Sequence, residues 1–149
     1  MLPGVLRHRQ PEIARADAGS SAVEFALIAP VFLLLTFGLV AYAIYFGAAH
    51  SVQQLAADAI RTSIAGLTDA ERDRLVSAFI DANASGYVLL DAERISYEVG
   101  DHPDDANQYR VSINYDASEL PIWNLSVPLP VPMPATDIRF VSTIRKGGI

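Results

Sequence analysis

From Phe25 to Ala49 the chain is an apolar block of 25 residues, and no Asp, Glu, Lys or Arg occurs between Phe25 and Ala57. As an α-helix the block measures about 38 Å at 1.5 Å per residue, against a bilayer hydrocarbon core of about 30 Å. It is long enough to span a membrane with some tilt. Beyond it the pattern turns amphipathic: Val52, Leu55, Ala59 and Ile64 recur every three to five residues, opposite Gln53, Asp58 and Arg61. The spacing therefore predicts one continuous helix from Ser20 to Ala65, with Gly66 as its stop. Residues 1–18 are polar, contain Pro3 and Pro11, and show no apolar period.

After Gly66 the period changes twice. "TDAE", residues 68–71, has the form of a capping box, with Thr68 capping a first turn and Glu71 reaching back. Leu75, Val76, Phe79 and Ile80 give the helix that follows an apolar stripe, ending at Asn83 to Gly86. "RISYEVG" (94–100) and "YRVSINYD" (109–116) then alternate with period two, placing Ile95, Tyr97 and Val99, and Tyr109, Val111, Ile113 and Tyr115, each on one face. Between them "DHPDDAN" reads as a long turn. "DIRFVSTIRK" (137–146) supplies a third strand, with Ile138, Phe140 and Ile144 on one side. The connection "PIWNLSVPLPVPMP" (121–134) is too rich in proline for a central strand and is expected to be an extended, polyproline-like crossover pinned by Trp123. The fold class is thus α+β: a leader over 1–19, a long N-terminal helix over 20–66, and a head over 67–149 with a second helix and a three-stranded antiparallel sheet. Such a head has a thin core and should pack against the long helix.

Charge sharpens the picture. The first 24 residues carry three Arg (Arg7, Arg9, Arg15) against Glu12, Asp17 and Glu24, so the whole net charge of −6 belongs to the rest of the chain. An acidic head repels phosphates, which excludes nucleic acid as a partner. The arginines before the span favour a cytoplasmic N-terminus. With no cysteine there is neither disulfide nor thiol chemistry. His8, His50 and His102 are too scattered for a triad or a metal pair, and no phosphate-binding glycine loop occurs. Asp101, Asp104, Asp105 and Asn107 offer oxygen ligands but lack the loop pattern of a calcium site, and a solvated turn is expected there. Neither enzymatic activity, metal nor cofactor is expected. Pro30 should kink the span by removing one helix hydrogen bond, while Gly38 and Gly47 offer flat patches for helix packing.

Glu24 is the residue that demands explanation, because an ionisable group at the mouth of an apolar helix costs free energy in lipid. One answer is local: "SAVE" (21–24) has the S-x-x-E form of a capping box, and a carboxylate in a first turn suits the helix dipole. The other invokes a cut after Gly19. Ser20 would then carry a new cationic α-amino group with Glu24 one helical turn away, able to pair with it or with the amine of a displaced neighbour.

The stretch "GSSAVEFALIAPVFLLLTFG" resembles the N-terminal signature of TadE-like proteins, pseudopilins of the tight-adherence (Flp-type) pilus system. On that resemblance Gly19 is the last leader residue, Ser20 the first mature residue and Glu24 the fifth, with Phe25, Ala26, Leu27 and Pro30 also falling where the family has similar residues. It implies a pilin-like precursor in the bacterial inner membrane, trimmed by a prepilin peptidase and assembling with other pilins and the pilus machinery. Ser20 replaces the aromatic residue or Met usual in type II secretion pseudopilins. Phe25 instead of Tyr, and a sizeable head, point to a minor subunit rather than the main fibre subunit. An anchored enzyme is a distant option, and two nearer alternatives stay open. One is an uncleaved single-pass envelope anchor with a binding or scaffolding head; the other is a secretory signal cut after "AYA" (41–43), exposing Ile44.

Overall fold

The computed structural model describes residues 13–124 and 132–146. Its first helix, α1 (Ile13–Thr62), is 50 residues long, or about 75 Å. It starts seven residues before the expected Ser20. The reason is local: "IARADA" (13–18) is made mostly of good helix formers, and one internal glycine costs only about 1 kcal/mol. A single 3-10 turn (Ser63–Ala65) closes the helix, and the Gly66 N–H donates to the Ser63 carbonyl at 3.0 Å. A glycine is needed at 66, since a Cβ there would sit 2.8 Å from the backbone nitrogen of Arg72.

Helix α2 (Asp69–Asn83) begins as the capping box requires. Thr68 Oγ1 accepts from the Glu71 N–H at 3.2 Å, and Glu71 Oε2 accepts from the N–H of Leu67, one residue before the cap, at 2.9 Å. Strands β1 (Ile95–His102), β2 (Asp105–Asp116) and β3 (Asp137–Arg145) form an antiparallel sheet in the order β1-β2-β3. The expected long turn is shorter than its composition suggested. Residues 101–102 and 105–107 join the ladder, leaving Pro103 and Asp104 as the turn, with a register irregularity between Asp101 and His102.

The Pro-rich connection also departs from expectation where it is described. Pro121–Asn124 is a 3-10 turn rather than extended chain. The Leu120 and Trp123 N–H groups donate back to Ala117 and Leu120, and Pro121 is preorganised for a helical start. Trp123 does pin it, donating Nε1–H to the Ala117 carbonyl at 2.6 Å, while its neighbour Ile122 is fully buried. Of the rest of the expected crossover, residues 132–134 are neither helix nor strand, and residues 125–131 lie outside the described residues, as does the expected leader up to residue 12.

One core joins these parts. The buried positions of α1 (Ala48, Val52, Leu55, Ala59) recur every three or four residues and meet Val76 and Ile80 of α2 and the inner face of the sheet, Tyr109, Val111, Ile113 and Tyr115. The long helix is therefore the head's missing layer. Without it the three strands and α2 would expose the apolar face they present.

Candidate assembly interface along the anchoring helix

Helix α1 lives in two environments. In its first half Val23, Phe25, Leu27, Ile28, Val31 and Phe32 are 58% to 71% exposed, whereas Ala41 is 2% exposed and Ala48, Val52 and Leu55 are fully buried. An apolar helical surface of that length is far larger than the patches soluble monomers expose. It calls for lipid or for other helices. Among the described residues one candidate span, Ser21–Ala65, has the length and composition to cross a membrane.

Gly19 and Ser20 both lie within α1 in the uncut chain. Glu24 is exposed, one turn after Ser20 and immediately before the exposed Phe25. Because α1 passes through residues 21–24, those residues sit in a helix interior, where a capping box cannot form: its cap residue must be non-helical. The local explanation of Glu24 therefore does not hold for the uncut chain. Residues four apart share a helix face, so Glu24 lies on the same face as Ser20, one turn further along.

Pro30 is exposed and lies inside α1, which continues without interruption. Lacking an N–H, it leaves the carbonyl of Ala26 without its usual helical donor. Two turns on, Thr36 Oγ1 donates to the Phe32 carbonyl at 2.8 Å, a bond of the kind that bends helices. Gly38 is half-buried. Gly47 serves the head of its own chain, as a Cβ there would come within 3.0 Å of Leu89 Cδ1.

The side-chain bonds that tie the head to α1, and α2 to the sheet, carry no local sequence signal, because they join distant residues. Tyr87 donates its hydroxyl to Asp58 Oδ2 at 2.9 Å, and Tyr109 to Asp73 Oδ1 at 2.7 Å. Burial first, and then the neighbouring carboxylate, push the Tyr87 phenol up to about 12 and raise that of Tyr109 as well. At the end of the head far from the span, Lys146 pairs with Asp69 at 2.9 Å and also with Asp101. These bonds raise the pKa of Lys146, and that of Asp69 is lowered chiefly by its bond to Lys146. The acidic turn is thus largely committed to its own chain, Asp105 accepting from the Asn107 N–H and the Gln108 amide, both at 2.9 Å. The histidines stay apart: His50 meets Gln54, His102 Nδ1 accepts from the Asp104 N–H, and His8 lies outside the described residues.

An apolar helix long enough to cross a membrane, carrying a folded head at its far end, fits a single-pass, membrane-anchored α+β protein. A family model described as TadE-like protein matches residues 19–61, beginning at Gly19 and ending before the head. Over its anchoring helix the chain is similar to TadE-like proteins. No curated protein and no solved structure matches it.

Proposed function

We propose that this protein is a minor pilin-like subunit that acts in assembly of a tight-adherence pilus. In this reading it enters the inner membrane with its N-terminus in the cytoplasm and its head outside. A prepilin peptidase removes the leader after Gly19. The bare half of α1 then exchanges lipid for the helices of other pilins, Glu24 sets the axial register, and the head selects the partner. The reading assigns no catalysis to the chain. What supports it most is the coincidence of the family match, which starts at Gly19, with a helix whose first half exposes apolar residues on both sides of Glu24, from Val23 to Phe32.

Proteases take extended backbone, so α1 must unwind around the Gly19–Ser20 bond before it is cut. Glycine lowers that cost, being about 1 kcal/mol less favourable than alanine in a helix. After the cut the Ser20 amine lies in the first turn, where the Glu24 carboxylate reaches it or the amine of an adjacent subunit. In a low-dielectric bundle such a pair has few competitors.

Intact-mass measurement of the protein extracted from the membranes of pilus-building cells tests the reading. A chain starting at Ser20 is the expected result. The second reading, an uncleaved anchor, draws on the unbroken passage of α1 through Gly19 and Ser20. A chain that keeps its original start would establish it in place of the first.

A further inference from the structure

The short connection after α2 carries Val88 and Leu89, which are 73% and 38% exposed. Apolar side chains at a loop tip are ordinary, but here the backbone beneath them is clamped. Leu89 holds φ at +63°, a left-handed conformation that non-glycine residues rarely adopt. Its carbonyl accepts the Tyr115 hydroxyl at 3.2 Å, its side chain lies against Gly47, and the preceding Tyr87 is tied to Asp58. Val88 is thus displayed from a fixed platform on the side of α1.

The height of that platform can be read off the helix. Glu24 and Gly47 are separated by 23 residues, or about 35 Å of helix, against a hydrocarbon core of about 30 Å. With Glu24 at one boundary, Gly47 and the loop beside it fall at the other, in the headgroup zone. The aromatic residues mark the same level. Tyr42, Tyr45 and Phe46 lie within a turn and a half of Gly47, the Phe46 ring 6.0 Å from each tyrosine ring, as in the belts that flank membrane spans. The neighbouring rim is acidic, with Asp91, Asp116 and Glu119 gathered around Arg94, so attraction to anionic headgroups does not bring the loop down.

We infer that the 87–90 loop is a second membrane contact, in which Val88 and Leu89 enter the outer interface of the leaflet from which α1 emerges and set the attitude of the head on the bilayer. The contact is continuous with the surface of the span and is apolar rather than electrostatic. It rests on α1 crossing the membrane.

The chain has no native cysteine, so single probes can be placed in the full-length protein. Val88→Cys, Leu35→Cys and Leu67→Cys variants, each carrying an environment-sensitive fluorophore, are reconstituted in phosphatidylcholine vesicles containing lipids with a nitroxide near the headgroup or deep in the acyl chain. The Val88 probe should be quenched by the shallow nitroxide, the Leu35 probe by the deep one, and the Leu67 probe, beyond the far end of α1, by neither. Adding phosphatidylglycerol should not strengthen the Val88 signal. A Val88 probe in water beside a deeply quenched Leu35 probe would overturn the loop contact and leave the span intact. A Val88 probe shielded from water but not quenched would assign the loop to a protein partner, a second copy included, and overturn the inference. Quenching that grows with phosphatidylglycerol would refute its apolar character. Loss of quenching at Leu35 would remove the span and the inference with it.

Discussion

Tyr87 and Asp58 are 29 residues apart in the chain, and the hydroxyl of one donates to the carboxylate of the other at 2.9 Å. The bond fastens the loop after α2 to the middle of the soluble half of α1. Because the phenol is raised from 10.0 to about 12, the folded state holds its proton more tightly than the unfolded chain does. Its contribution to stability is fully present below about pH 10 and is lost as pH rises through about 12. Denaturation of the head in detergent should therefore show falling stability between those values. Tyr87→Phe should cost about 1 kcal/mol at neutral pH and flatten part of the alkaline fall. An unchanged alkaline profile in that variant would assign the fall elsewhere, Tyr109 and Tyr115 being raised as well.

Leu55 is fully buried between the head and α1, whereas Leu35 of the same helix is 61% exposed. Their roles should separate on mutation. Leu55→Ala should destabilise the head by about 2–5 kcal/mol through loss of buried apolar surface and an unfilled cavity. The protein should still resist carbonate extraction from membranes, since the apolar block is untouched. Faster proteolysis of the head together with unchanged membrane retention is the expected pair of results.

These two halves of α1 differ in how openly the sequence declares them. The span, the amphipathic continuation, the Thr68–Glu71 cap and the alternation of Tyr109, Val111, Ile113 and Tyr115 are periodic or local, so residue spacing alone exposes them. The turn at Pro103–Asp104 was obscured because Asp, Asn and Pro serve turns and strand ends alike, and pairing with β1 decides between them. The start at Ile13 was hidden because residues 13–18 show no apolar period, whereas good helix formers carry the helix upstream and the single Gly19 is too weak to stop it. At the candidate interface, Gly19, Ser20, Glu24 and Phe25 were legible as a motif. The tyrosine–carboxylate ties were not, since long-range partners leave no period.

Lys146 bonds to Asp69 and to Asp101, joining the end of β3 to the start of α2 and to β1. The folded pKa of Asp69 is lowered, so its contribution is present above the usual carboxylate range and is lost as pH falls through the folded value. For Lys146 the direction is the opposite: the raised pKa gives a contribution present below its ordinary value of 10.5 and lost above it. Lys146→Met should leave two carboxylates facing each other at neutral pH, lower the thermal midpoint of the head, and weaken the acid-induced loss below about pH 4. A midpoint unchanged at pH 7 would show that Arg72, which also bonds Asp69 at 2.9 Å, suffices to hold this corner.

Glu24 offers the sharpest test of assembly, because the proposed partner is created by the cut itself. Glu24→Gln keeps the shape and hydrogen-bonding capacity of the side chain and removes its charge. Processing should be unaffected, while recovery of the subunit with sheared pili, or its crosslinking to other pilins, should fall roughly tenfold, the equivalent of about 1.4 kcal/mol. Gly19→Leu should block the cut and so withhold the amine. In that uncut background Glu24→Gln should add no further loss to assembly, since the Ser20 amine with which the carboxylate would pair is never formed. This non-additivity is the signature of two groups acting as one pair. Independent, multiplicative losses would mean that Glu24 acts through another partner along the helix, and an uncut Gly19→Leu chain that assembles normally would remove the amine from the mechanism.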